Sequence, residues 1–110
     1  MLKTAGNIKQ KPYIERYKRR ISNLCRQNNV KTLYAFGSIL TDRFNDKSDV
    51  DLIVNIDSSN PLEYADKYFN LKFAMQDLFN RPVDLLEEKA VKNPYFINSV
   101  NATKKLIYAK

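Results

Sequence analysis

The chain predicts an α/β (α+β) fold in which helices alternate with short strands, and three observations carry that prediction. Apolar residues recur at spacings of three and four from about Gln10 to Asn28, and again from Pro61 to Phe79. Three short apolar runs, Thr32 to Phe36, Val50 to Ile56 and Val83 to Leu86, lie between turn-forming residues as strands do. Two Asn-Pro pairs, Asn60-Pro61 and Asn93-Pro94, stand where helices should start.

Taken in order, the first helix would place Ile14, Tyr17, Ile21 and Leu24 on its inner face and stop at Asn28-Asn29. The first strand, Thr32 to Phe36, ends at Gly37, and Gly37-Ser38 opens a brief helix through Leu40. A polar loop from Thr41 to Ser48 leads to the second strand, Val50 to Ile56, which is apolar enough to be an inner one. Asn60 as N-cap, Pro61 in the first turn and Glu63 three residues on begin the long helix to Phe79. Tyr64, Tyr68, Leu71, Met75 and Leu78 form its buried face, a core stripe rather than a cofactor-stacking surface. Asn80-Arg81-Pro82 breaks it, Val83 to Leu86 forms the third strand, and a last helix runs from Pro94 to about Ala102. Leu106-Ile107-Tyr108 is a final short element or a docked tail. No repeat, low-complexity tract or linker interrupts the order αβαβαβα, so residues 1–110 are expected to make one domain around one core.

Composition narrows the chemistry. With no histidine, imidazole catalysis is excluded, and with only one cysteine, Cys25, beside that absence a structural zinc site is not expected. The working groups of an enzyme would be carboxylates, hydroxyls, amides and cations, which suit a hard cation such as Mg²⁺. The lone cysteine, the absence of an apolar leader at Met1 to Gly6 and the absence of a long apolar segment lead us to expect a cytoplasmic protein without a membrane partner. A formal charge of +7 attracts polyanions. Much of it sits early, at Lys3, Lys9, Lys11, Arg16, Lys18, Arg19, Arg20, Arg26 and Lys31. This is the pattern of a solvated helix face, with an RNA-binding stripe as the alternative.

The informative cluster is Gly37-Ser38, ten residues, then Asp49-Val50-Asp51 at the head of an apolar strand. Strand periodicity puts Asp49 and Asp51 on one side, about 7 Å apart along the chain. Like charges on one face repel unless a cation lies between them, and aspartate is disfavoured in strands. Asp84 interrupts the third strand in the same way, so adjacent second and third strands would bring three carboxylates together. Gly37 is one of two glycines and follows a strand, a position where a missing Cβ lets backbone approach a ligand. Its turn could present amide N–H groups and the Ser38 hydroxyl to phosphate oxygens.

These motifs, Gly37-Ser38, Ser48-Asp49-Val50-Asp51-Leu52 and Val83-Asp84-Leu85, resemble those of the minimal nucleotidyltransferases of the DNA polymerase beta superfamily, from Tyr34 to about Tyr108. The resemblance implies a small mixed sheet flanked by helices, with Asp49, Asp51 and Asp84 as ligands of one or two Mg²⁺ ions. Asp84 would also help to deprotonate the acceptor hydroxyl, and Gly37 and Ser38 would hold the nucleotide phosphates. It implies transfer of a nucleoside monophosphate, AMP from ATP or another NTP, to a hydroxyl such as a tyrosine of a small helical HEPN toxin. A second copy of the chain is another source of the acceptor, and a non-catalytic antitoxin module of the same fold is the alternative. The sequence departs from the family at Thr41-Asp42, where many relatives have arginine and glycine. Arg43 or Lys47 would have to supply the missing cation.

Overall fold

The computed structural model describes residues 13–110. Tyr13–Tyr17 is a 3₁₀ turn that runs into helix α1, Lys18–Gln27. Part of the expected first helix, residues 10–12, lies outside the described residues. The tighter first turn has a local cause: Tyr17 at the N-cap makes no side-chain hydrogen bond to the free amides, and i→i+3 pairing satisfies some of them instead. Ile14, Ile21 and Cys25 are buried, with Tyr17 and Leu24 packed beside them. The helix stops where expected, because Asn29 adopts a left-handed φ of 55° and the Asn28 side chain donates to the Leu24 carbonyl at 2.9 Å.

Strand β1, Val30–Phe36, starts earlier than the expected Thr32. Val30 is buried opposite Ile56, and the ladder shifts register between Val30 and Thr32, where Lys31 is exposed to solvent. Strand β2, Val50–Ile56, and helix α2, Pro61–Phe79, have the expected bounds. Asn60 caps α2 by accepting from the Leu62 and Glu63 amides at 2.9 and 3.1 Å. Glu63 does not close a reciprocal capping box; its carboxylate accepts from the Ser58 hydroxyl at 2.7 Å. Strand β3 is Val83–Glu87, and helix α3, Pro94–Thr103, is capped by Asn93 as Asn60 caps α2. The final segment is a strand, β4, Lys105–Ala109, rather than a docked tail.

The sheet order is β3-β2-β1-β4. β1 pairs antiparallel with both β2 and β4, and β2 pairs parallel with β3, so the sheet is mixed as the resemblance implied. Alternation along each strand divides the molecule into two faces. On one, Leu33, Ala35, Val50, Leu52, Val54, Ile56, Val83 and Leu85 pack against α1 and α2, where Ile21, Cys25, Leu71, Met75 and Phe79 complete the main core. On the other, Phe36 and Ile53 meet Val100 of α3, with Leu86 at the edge. The second face is covered only in part, and its open end carries the candidate site. No helix among the described residues is long and apolar enough to cross a membrane.

Candidate functional site

The site forms where β1 ends and β2 and β3 begin. Val50 and Leu52 point into the main core, so Asp51 between them turns to the opposite face, where it is half-buried. Asp49, just before the strand, shares its side and is exposed. In the parallel β2–β3 pair Asp51 stands directly beside Asp84, and in the antiparallel β1–β2 pair Phe36 stands directly beside Asp51. Registered neighbours share a face, so Asp51 and Asp84 project together and the chain after Phe36 turns across the Asp51 carboxylate.

That turn requires glycine for two independent reasons. Gly37 has a φ of +77°, in the left-handed region that L side chains avoid. A Cβ added there would lie 2.5 Å from Asp51 Oδ2 and 3.4 Å from its carboxyl carbon. The 3₁₀ turn Gly37–Leu40 follows, held by Ile39 buried in the main core. Both the amide and the hydroxyl of Thr41 donate to the Ser38 carbonyl at 2.9 Å.

Burial raises the Asp51 pKa above the usual carboxylate value, and the negative charges of Asp84 and Asp49 raise it further. The three carboxylates therefore share one electrostatic environment. Among the described residues no three acidic, cysteine or histidine side chains are closed around a common point as ready ligands. The side chains that converge here offer only oxygen donors, the ligand type that suits a hard divalent cation.

The loop before Asp49 shows a feature that the sequence analysis missed. Arg81, treated there only as part of a helix break, donates from Nη1 to the carbonyls of Asn45 at 2.8 Å and Ser48 at 2.9 Å. Its guanidinium lies 4.5 Å from the Phe44 ring centroid and 5.0 Å from that of Tyr13. An arginine thus joins the start of β3 to the residue preceding Asp49. The one local signal was its place between a helix end and a proline ahead of the Asp84 strand; its partners lie far off in sequence. Arg43 and Lys47 are exposed, and their amides close turns inside the loop by bonding to Thr41 Oγ1 at 3.2 Å and Asn45 Oδ1 at 2.8 Å. Thr41 has a structural task in that loop, and Asp42 is exposed.

Comparison with known proteins agrees with this architecture. Two Methanocaldococcus jannaschii proteins, provisionally named protein adenylyltransferases, are similar in sequence. One is 35% identical over 71 residues, covering 64% of this chain and 69% of the relative. The other is 27% identical over 99 residues, covering 90% and 93%. Among solved structures, a chain of a toxin–antitoxin with AMP-PNP superposes with a TM-score of 0.66 at 19% identity, covering 84% of this chain and 73% of that one. A provisionally named minimal nucleotidyltransferase gives 0.65 at 22%, covering 84% and 90%. A chain of the tri-AMPylated Shewanella oneidensis HEPN toxin in complex with MNT antitoxin gives 0.61 at 17%, covering 87% and 72%. These structural likenesses bear on the fold. The family model described as polymerase beta, nucleotidyltransferase, matches residues 19–110, and with it the chain belongs to the polymerase beta nucleotidyltransferase family.

Proposed function

We propose that this protein, as a single domain of residues 1–110, transfers AMP from ATP to a hydroxyl, the acceptor being a tyrosine of a small helical HEPN-type partner. The observation that carries the reading is the register of Asp51 beside Asp84, on the face where Gly37 brings backbone against the Asp51 carboxylate. The names of the two M. jannaschii relatives and the complexes containing the structural neighbours support the choice of group and acceptor.

Asp49, Asp51 and Asp84 would hold one or two Mg²⁺ ions, which when bound neutralise the triphosphate and the departing pyrophosphate. Gly37 and Ser38 bind the phosphates through backbone amides and the Ser38 hydroxyl. Asp49 and Asp84 are both exposed while Asp51 is half-buried, and of the two exposed carboxylates we assign Asp84, which the family resemblance marks for this role, to the incoming acceptor. The acceptor oxygen bonds to the α-phosphorus as the bond to the pyrophosphate oxygen breaks, and the hydroxyl proton passes to Asp84.

The test is transfer of labelled AMP from ATP, with each NTP compared, to a copurified partner. Asp51→Asn should lower the rate on the order of 100-fold or more, as loss of about 3 kcal/mol of transition-state stabilisation does. A normal rate would refute the assignment.

A second reading, a module that neutralises its partner by binding alone, is favoured by the apolar surface that α2 leaves open at Leu62, Phe69 and Phe73. Under it, Asp49→Asn and Asp51→Asn proteins bind and neutralise the partner as well as wild type does.

A further inference from the structure

Helix α3 does not seal against the sheet. Between it and β2 lies a cavity of about 120 Å³ lined by Ile53, Phe96, Ile97, Val100, Asn101 and Lys104, among others. It sits on the same face as the carboxylates: Ile53 is the next residue after Asp51 on that side, about 7 Å further along β2. Phe36, which stands beside Asp51 and immediately precedes Gly37, packs edge-on against Phe96 with ring centroids 5.8 Å apart. The wall of the cavity and the Gly37 turn are therefore parts of one continuous surface. The floor is apolar, with Ile53 and Val100 only 6% and 5% exposed. At the rim, Lys104 holds its ammonium 4.0 Å from the Tyr34 ring centroid, and Asn101 places an exposed amide.

An apolar floor with the Asn101 amide, the Lys104 ammonium and the exposed Glu88 carboxylate also in its lining suits a flat heterocycle that has a hydrogen-bonding edge. The cavity's volume falls somewhat short of the roughly 150 Å³ that holds a benzene ring, so only the edge of a base enters and the remainder stays at the open mouth. We propose that this cavity is the subsite for the nucleobase of the donor, an adenine, with Ile53 and Phe96 against the ring and Asn101 reading its edge. The proposal rests on the nucleotidyl-transfer reading above. A nucleotide whose α-phosphate lies at Asp49, Asp51 and Asp84 has a ribose to span the interval to Ile53, which places its base at the cavity. An asparagine amide, donor and acceptor side by side, matches the paired acceptor and amino group of adenine and mismatches guanine.

The test is binding of ATP, GTP and inorganic tripolyphosphate to the full chain with Mg²⁺, measured by calorimetry for wild type, Asn101→Ala and Phe96→Ala, with circular dichroism to verify folding. Asn101→Ala should weaken ATP roughly 3- to 10-fold, as loss of one hydrogen-bonding group does, and narrow the preference for ATP over GTP. Phe96→Ala should weaken ATP and GTP alike. Tripolyphosphate, which has no base, should bind all three proteins equally. Unchanged ATP affinity in both folded variants overturns the subsite and leaves the transfer reading standing, as does a parallel fall in tripolyphosphate affinity. Wild-type protein that binds neither ATP nor tripolyphosphate overturns both.

Discussion

At the scale of single residues, the contact between Gly37 and Asp51 ties the turn after β1 to the carboxylates, because the turn fits against Asp51 only when residue 37 has no Cβ. Gly37→Ala combines a strained left-handed φ with a Cβ at 2.5 Å from Asp51 Oδ2, so either the turn or the carboxylate must move. We expect a loss of about 1–3 kcal/mol in stability and at least tenfold weaker ATP binding, measured by thermal unfolding and calorimetry. Asp51 also gives stability a pH dependence. Its carboxyl, raised first by burial and then by Asp84 and Asp49, holds a proton more tightly folded than unfolded. Its stabilising contribution is full below the ordinary aspartate pKa of about 4 and is lost as pH rises through the raised value. In a chelator, wild type should therefore lose stability across that window and Asp51→Asn should lose less; parallel melting curves against pH would disprove it. Cys25 is fully buried and its thiol is pushed up to about 12, so a thiol reagent should modify it only on unfolding.

At the scale of elements, the junction between α2 and β3 does more than reverse the chain. Asn80 ends α2 in a left-handed φ of 53°, and Arg81 then reaches back to the Asn45 and Ser48 carbonyls. Because Ser48 adjoins Asp49, the loop that delivers the first carboxylate is anchored by the turn that leads into the strand of Asp84. Arg81→Ala should cost about 1–3 kcal/mol and speed hydrogen exchange of the loop amides from Thr41 to Ser48. Arg81→Lys keeps the charge but not the planar fork, so it should restore only part of the protection. Equal exchange in all three proteins would show that the loop holds itself. The helix caps were legible as residues in the sequence, since Asn60-Pro61 and Asn93-Pro94 act locally. Arg81 was not, because its partners come from Tyr13, Phe44, Asn45 and Ser48, which only the folded chain brings near.

At the scale of the whole molecule, the sheet separates charge from chemistry. Arg16, Lys18, Arg19, Arg20 and Arg26 are exposed around α1, which packs on the sheet face opposite to Asp51 and Asp84. With a screening length of about 8–10 Å in ordinary salt, these cations contribute little to binding a triphosphate across the sheet. Replacing Arg16, Arg19 and Arg20 together by alanine should leave ATP affinity within about threefold of wild type at physiological salt; a larger fall would show that α1 feeds the site. Any affinity for RNA should drop in the same variant, which separates the basic stripe from the carboxylates. The main core is the opposite case: Met75 is fully buried between α2 and the sheet, so Met75→Ala should cost about 2–5 kcal/mol in chemical unfolding.

The sequence by itself determined the local features. Helical spacing, asparagine caps and alternating strands depend on neighbours along the chain, and they placed β2 and α2 to the residue and marked Asp49, Asp51, Asp84 and Gly37 as one candidate group. What only the tertiary structure decided is what depends on residues meeting from afar. The early start of β1 needed Ile56 opposite Val30, and β4 needed a free edge on β1. The Asp51–Asp84 register, the cavity under α3 and the Arg81 anchor likewise arise from strand pairing and packing. Spacing along the chain carries no information about such contacts, because their energies come from the partners that folding supplies.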